Sequence, residues 1–110
     1  MYRPNILVVC GQNKRRSRTA EFIFKNDSRF SIRSAGLSPS SNRKISEKDV
    51  GWADLILVMQ TEQKRKLAHL FGHLAIPPVK VLNIDDVYEF MDEELVEMLT
   101  SKISCIIADQ

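Results

Sequence analysis

Ile6-Leu-Val-Val9 is a run of four aliphatic residues that stops at Cys10. The run is too brief for a helix, and it is apolar on both alternating faces, as in a central strand of a parallel sheet covered from two sides. The polar segment Gly11-Gln-Asn-Lys-Arg-Arg16 then gives way to helical spacing at Ala20, Ile23 and Phe24, with Ser17 placed to cap that helix. A strand, a short polar loop and a helix N-terminus together make a concave array of N–H groups backed by a helix dipole, which suits a phosphate. With 110 residues, the chain has room for one small domain around this junction, and residues 1–110 are read as one.

A cysteine at the mouth of such a loop lies in the field that favours an anion, so Cys10 is expected to react as a thiolate. Arg16 can fold back across the loop and offer its planar fork to two oxygens of one phosphoryl group. The Ser17 hydroxyl can donate to the sulfur. A free cysteine is ordinarily a small buried hydrophobe; the flanking residues set Cys10 apart. Lys14, Arg15 and Arg18 concentrate positive charge here, although the net charge of the chain is only +2. That near balance argues against a general polyanion binder, and no nucleic-acid partner is expected.

Cys10, five residues, then Arg16-Ser17, all at the end of a first strand, resembles the phosphate loop of the low-molecular-weight protein tyrosine phosphatases. The resemblance implies that Cys10 is a nucleophile that becomes a phosphocysteine and that Arg16 binds the phosphoryl oxygens. It further implies that Ser17 stabilises the thiolate, that Asn13 braces the loop, and that Gly11, Gln12, Asn13, Lys14, Arg15 and Ser17 together form the substrate-binding loop. Two positions differ from the family pattern: Gln12 stands where glycine is usual, and Arg15 where many members carry a second cysteine that guards the first by a disulfide. Ser34-Ala-Gly36 is similar to a segment common in the family.

Beyond the first helix, Asn26-Asp-Ser28 breaks the periodicity, and Phe30, Ile32 and Ser34 alternate as a second strand ending at Gly36. Leu37 to Lys44 reads as a loop, with Arg43 and Lys44 solvated at its end. Ser46-Glu-Lys-Asp49 has the form of a capping box and opens a short helix, which Gly51 follows. Asp54 to Met59 is a buried strand, with Trp52 packing against the sheet. Thr61 is expected to cap a third helix through Leu67, Leu70 and Phe71, with Gly72 as its C′ residue and His69 and His73 on the surface. Pro77-Pro78 forces an extended entry to the last strand, Val79 to Leu82. From Asp92 a final amphipathic helix carries Leu95, Met98, Leu99, Ile103 and Ile106, with Cys105 expected in the core. Alternating strands and helices make an α/β fold, a small doubly wound sheet; the resemblance gives a four-stranded parallel sheet of order 2-1-3-4 flanked by helices.

Asn83-Ile-Asp85-Asp86-Val-Tyr88 follows the last strand and so belongs at the same sheet edge as Cys10. Cysteine phosphatase chemistry needs an acid for the leaving oxygen, later a base for water. Asp86-Val-Tyr88 looks like the family's Asp-Pro-Tyr motif with valine for proline, which would make Asp86 the acid and Tyr88 a wall of the pocket. Asp85 competes for the role. The leading reading is a phosphatase acting on phosphotyrosine or another aryl phosphate through a phosphocysteine. The alternatives are a weakly active or non-catalytic phosphate-binding module, and an arsenate reductase, which would need further cysteines as an electron relay. The expected partners are a phosphorylated protein or a small aryl phosphate, with inorganic phosphate or sulfate able to occupy the loop; neither metal nor cofactor is expected. Two cysteines far apart in sequence, without a long apolar segment, point to a soluble cytoplasmic setting.

Overall fold

In a computed structural model that describes residues 3–109, β1 (Asn5–Cys10) lies in the middle of the sheet. It pairs in parallel with β2 (Ser31–Gly36) on one side and β3 (Leu55–Val58) on the other, and β4 (Val79–Val81) adds beyond β3. The order is β2-β1-β3-β4, as expected.

Strand alternation divides the apolar residues between two faces. Ile6, Val8 and Cys10 of β1 join Leu55 and Leu57 in a core with α1 (Arg16–Phe24) and α4 (Glu93–Ala108). Leu7, Val9, Ile56 and Val58 face the opposite way, toward α2 (Glu47–Trp52) and α3 (Thr61–Phe71). Ile6 to Val9 are therefore fully buried, which is why they read as an unbroken apolar run rather than an alternating one. Because α1 and α3 leave the sheet on opposite faces, the segments after β1 and β3 diverge. A crevice opens at the C-terminal edge between them.

Helix ends follow the local chemistry in two cases. Ser46 and Asp49 form the reciprocal capping box at α2, and Asp92 caps α4 through Glu94 N at 2.9 Å. Buried Asp49 also holds Arg43 at 2.6 Å, so Arg43 is a structural ion-pair partner as well as a surface residue.

Other helix-end expectations are corrected. α1 begins at Arg16, with Arg15 at its N-cap, because the Ser17 hydroxyl is used inside the loop. α3 is capped at Gln60 rather than Thr61, and the Gln63 side chain accepts the Met59 and Gln60 amides at 2.8 and 3.1 Å. Gly72 has a right-handed φ of −61°, so it is not a left-handed C′ residue. Gly51 lies inside α2, which runs to Trp52. Cys105 is exposed rather than in the core. It is two positions past buried Ile103, a rotation of roughly 200° about the helix axis, which carries it away from the apolar stripe. No described helix is long and apolar enough to cross a membrane.

Candidate active site

β1 ends with Cys10 buried, and the chain turns tightly enough that the Asn13 amide donates to Cys10 Sγ at 3.2 Å. The turn requires a left-handed residue, and Asn13 supplies it at φ 55°, a region that asparagine tolerates better than most side chains. Asn13 is buried, and its Nδ2 donates to Ser17 Oγ at 2.9 Å. Ser17 Oγ in turn lies 2.9 Å from Cys10 Sγ. A thiolate at Cys10 can only accept, and in that state the Ser17 hydroxyl, itself accepting from Asn13, is the donor to the sulfur. Two donors thus converge on Sγ, an arrangement that favours a thiolate.

The carbonyls of the loop point the other way. Cys10 O, Gly11 O and Gln12 O accept from the amides of Leu37, Ser38 and Asn42 at 3.0, 2.8 and 3.2 Å. Asn13 O accepts from Asn42 Nδ2 at 3.2 Å. With its acceptors engaged by residues 37–42, the loop is free to turn N–H groups toward the cavity, as an anion cradle requires. The serine- and asparagine-rich stretch after β2, read from sequence only as a connection, is the outer brace of the site. Gly36 permits this approach, since a Cβ there would come within 2.9 Å of Asn13 N.

Arg16 is 4 % exposed, yet it lines the cavity. Its Nη1 donates to Ile84 O at 2.8 Å and to Gln60 Oε1 at 3.2 Å. Both acceptors are neutral, so the guanidinium is oriented without losing its charge. The carboxyl group nearest it is that of Asp86, with Oδ1 3.7 Å from Nε. Gln60 had no motif to mark it. The available signal was its position just past β3, at the edge where Cys10 lies.

The acidic segment is fastened at both ends. Buried Ile84 donates its amide to Met59 O at 3.0 Å, and the Met91 amide donates to Thr19 Oγ1 at 3.0 Å. Asp86 borders the cavity with its side chain 61 % exposed. Asp85 is exposed and is not among the cavity residues. Tyr88 also departs from the expected place. It is half-buried against the core on the α1 and α4 side, away from the cavity lining. Desolvation and the carboxylates of Glu94, Asp85 and Asp92 raise its phenol pKa.

The cavity has a volume of about 700 Å³. Its lining includes Cys10, Gly11, Gln12, Lys14, Arg15 and Arg16 from the loop and the start of α1, Leu37 and Ser38 from the segment after β2, and Asp86. Gln60 at the N-cap of α3, and Glu62, Gln63 and Lys66 in its first turns, complete the lining. Asn13 and Ser17 brace the loop from beneath rather than line it. Among the described residues, no group of three or more His, Cys, Asp or Glu side chains is arranged to hold a metal ion.

No protein-family model and no curated protein matches this sequence. Solved structures do match. The low-molecular-weight protein tyrosine phosphatase SP-PTP from Streptococcus pyogenes is 17% identical, with a TM-score of 0.81 over 96% of this chain and 92% of its own. Tyrosine phosphatase Wzb from Escherichia coli K30, in complex with phosphate, is 18% identical, with a TM-score of 0.77 over 98% and 99%. The YwlE arginine phosphatase from Geobacillus stearothermophilus is 17% identical, with a TM-score of 0.72 over 97% and 95%. The four-stranded parallel sheet of order 2-1-3-4, flanked by helices, is the fold of the low-molecular-weight protein tyrosine phosphatases.

Proposed function

We propose that the protein is a cysteine-dependent phosphatase that hydrolyses phosphotyrosine or another aryl phosphate monoester through a phosphocysteine. The observation that carries this reading is the meeting, at one cavity, of Cys10 with its two donors, Arg16 held by neutral acceptors, and Asp86 at the rim. The proteins sharing the fold include tyrosine and arginine phosphatases, which supports a phosphatase; the aryl ester rests on the resemblance of the Cys10 loop and the Asp86 segment to the tyrosine phosphatases.

In the first step the Cys10 thiolate attacks phosphorus opposite the leaving oxygen. The S–P bond forms and the P–O bond breaks, while Asp86 delivers a proton to the departing oxygen. Arg16 and the loop amides stabilise the charge on the equatorial phosphoryl oxygens. In the second step Asp86, now a carboxylate, takes a proton from water. The water oxygen bonds to phosphorus, the S–P bond breaks, and inorganic phosphate leaves with the thiolate regenerated.

Turnover of para-nitrophenyl phosphate by the wild type and the variants Cys10→Ser and Arg16→Lys tests the reading. Cys10→Ser is expected to abolish turnover. Arg16→Lys, which keeps charge but loses the bidentate fork, is expected to lose roughly 100-fold or more. Phosphate binding without turnover in the wild type would instead identify a phosphate-binding module.

A further inference from the structure

Beyond the groups assigned to the phosphoryl group and the proton, the cavity lining is mostly cationic and carries no aromatic side chain. With Arg16 committed to the phosphoryl group and Asp86 to proton transfer, its remaining charged residues are Lys14, Arg15 and Lys66 against Glu62. Tyr88, the aromatic expected there, packs against the core instead. Leu37 is the large apolar side chain on this lining.

These cations are available to an incoming anion. Among the described residues, neither Lys14 nor Lys66 makes an ion pair, and both side chains are exposed. Glu62 lies one helical turn before Lys66, but no ion pair joins the two. Arg15 pairs with Glu89 at 3.6 Å between well-exposed groups, a contact weak enough for a substrate anion to replace. Among the described residues, the carboxylates on the cavity lining, Glu62 and Asp86, are both exposed. The field left for the leaving group is therefore net positive and set by residues from two separate elements, the loop and α3.

Resting on the phosphatase reading above, we infer that the site selects phosphomonoesters whose leaving group carries a second negative charge beside the scissile phosphoryl group. Lys14 from the loop and Lys66 from α3 hold that charge. The second anion is a carboxylate or phosphate on a small molecule, or an acidic side chain next to a phosphorylated residue. The chemistry is the same in both. Discrimination then comes from charge rather than from ring stacking.

The test compares kcat/KM for para-(carboxymethyl)phenyl phosphate with that for its neutral amide, whose methylene insulates the phenol oxygen from the change. A second arm compares phosphotyrosine peptides flanked by Glu with the same peptides flanked by Gln. The wild type is expected to favour the anionic member by roughly 5- to 10-fold at low salt, and the preference should vanish near 1 M salt, where the screening length is about 3 Å. Lys66→Met should lower the ratio, Lys66→Glu should take it to one or below, and Lys66→Arg should restore it. Preference in the first arm alone assigns a small-molecule anion; preference in the peptide arm alone assigns an acidic protein segment. An anionic-to-neutral ratio of one in both arms of the wild type, with all substrates turned over, overturns the inference. Absence of turnover for every substrate overturns the phosphatase reading instead. The wild-type ratio and its salt dependence decide the question even where a Lys66 variant fails to fold.

Discussion

Asn13 Nδ2 donates to Ser17 Oγ at 2.9 Å, which fixes the serine oxygen beside Cys10 and leaves its hydrogen available to the sulfur. When Cys10 is a thiolate, which can only accept, the hydroxyl donates to Sγ, 2.9 Å away. A hydrogen bond to a charged acceptor contributes about 1.5–3 kcal/mol. Ser17→Ala is therefore expected to slow alkylation of Cys10 by iodoacetate roughly 10- to 100-fold at neutral pH, with phosphate still protecting the remaining reaction. An unchanged alkylation rate would remove Ser17 from the support of the thiolate.

Gln60 is a positioning residue for Arg16, and a substitution there separates geometry from charge. Gln60→Leu removes the acceptor at 3.2 Å from Nη1 while leaving Ile84 O in place. Competitive inhibition by inorganic phosphate should weaken about 5- to 10-fold. Gln60→Glu keeps an acceptor but adds a negative charge beside the guanidinium, so phosphate should bind more weakly still. Inhibition constants equal to wild type in both variants would show that the contact does not orient Arg16.

Asp86 and Asp85 are distinguished by the leaving group. General acid catalysis typically contributes on the order of 10²–10⁴-fold. Asp86→Asn should lose most on phenyl phosphate and phosphotyrosine, whose leaving oxygens are basic, and least on nitrophenyl phosphate. Asp85→Asn should leave that dependence as it is, because Asp85 does not border the cavity. A steepened dependence in Asp85→Asn, with none in Asp86→Asn, would reverse the assignment. A fold defect would lower every substrate by the same factor.

Gly36 tests the coupling between the phosphate loop and its outer brace. A Cβ at this position would press on Asn13 N, part of the loop backbone, as well as on the Ser41 side chain. Overpacking of this kind usually costs about 1–3 kcal/mol. Gly36→Ala should lower the midpoint of urea unfolding and also reduce the protection that phosphate gives Cys10 against alkylation. Lost stability with undiminished protection would show that the loop holds its shape without residues 37–42.

The strands and helices, the burial of Ile6 to Val9 and the loop after Cys10 were legible because each depends on residues close together in sequence. Strand alternation, helical spacing and the Ser46–Asp49 box are short-range patterns, and the structure reproduces them. Cys105 was within reach of the same reasoning, since the helical angle from Ile103 turns it outward. The helix start at Arg16, the brace at 37–42, the contact of Gln60 with Arg16 and the packing of half-buried Tyr88 against the core were not. Those features depend on which donors find which acceptors after the sheet has assembled, across separations such as the 29 residues between Asn13 and Asn42 or the 44 between Arg16 and Gln60. A local pattern can place Ser17 at a helix start, but the tertiary contacts give its hydroxyl to Cys10 and Asn13, because a buried polar group must be paired where it comes to rest.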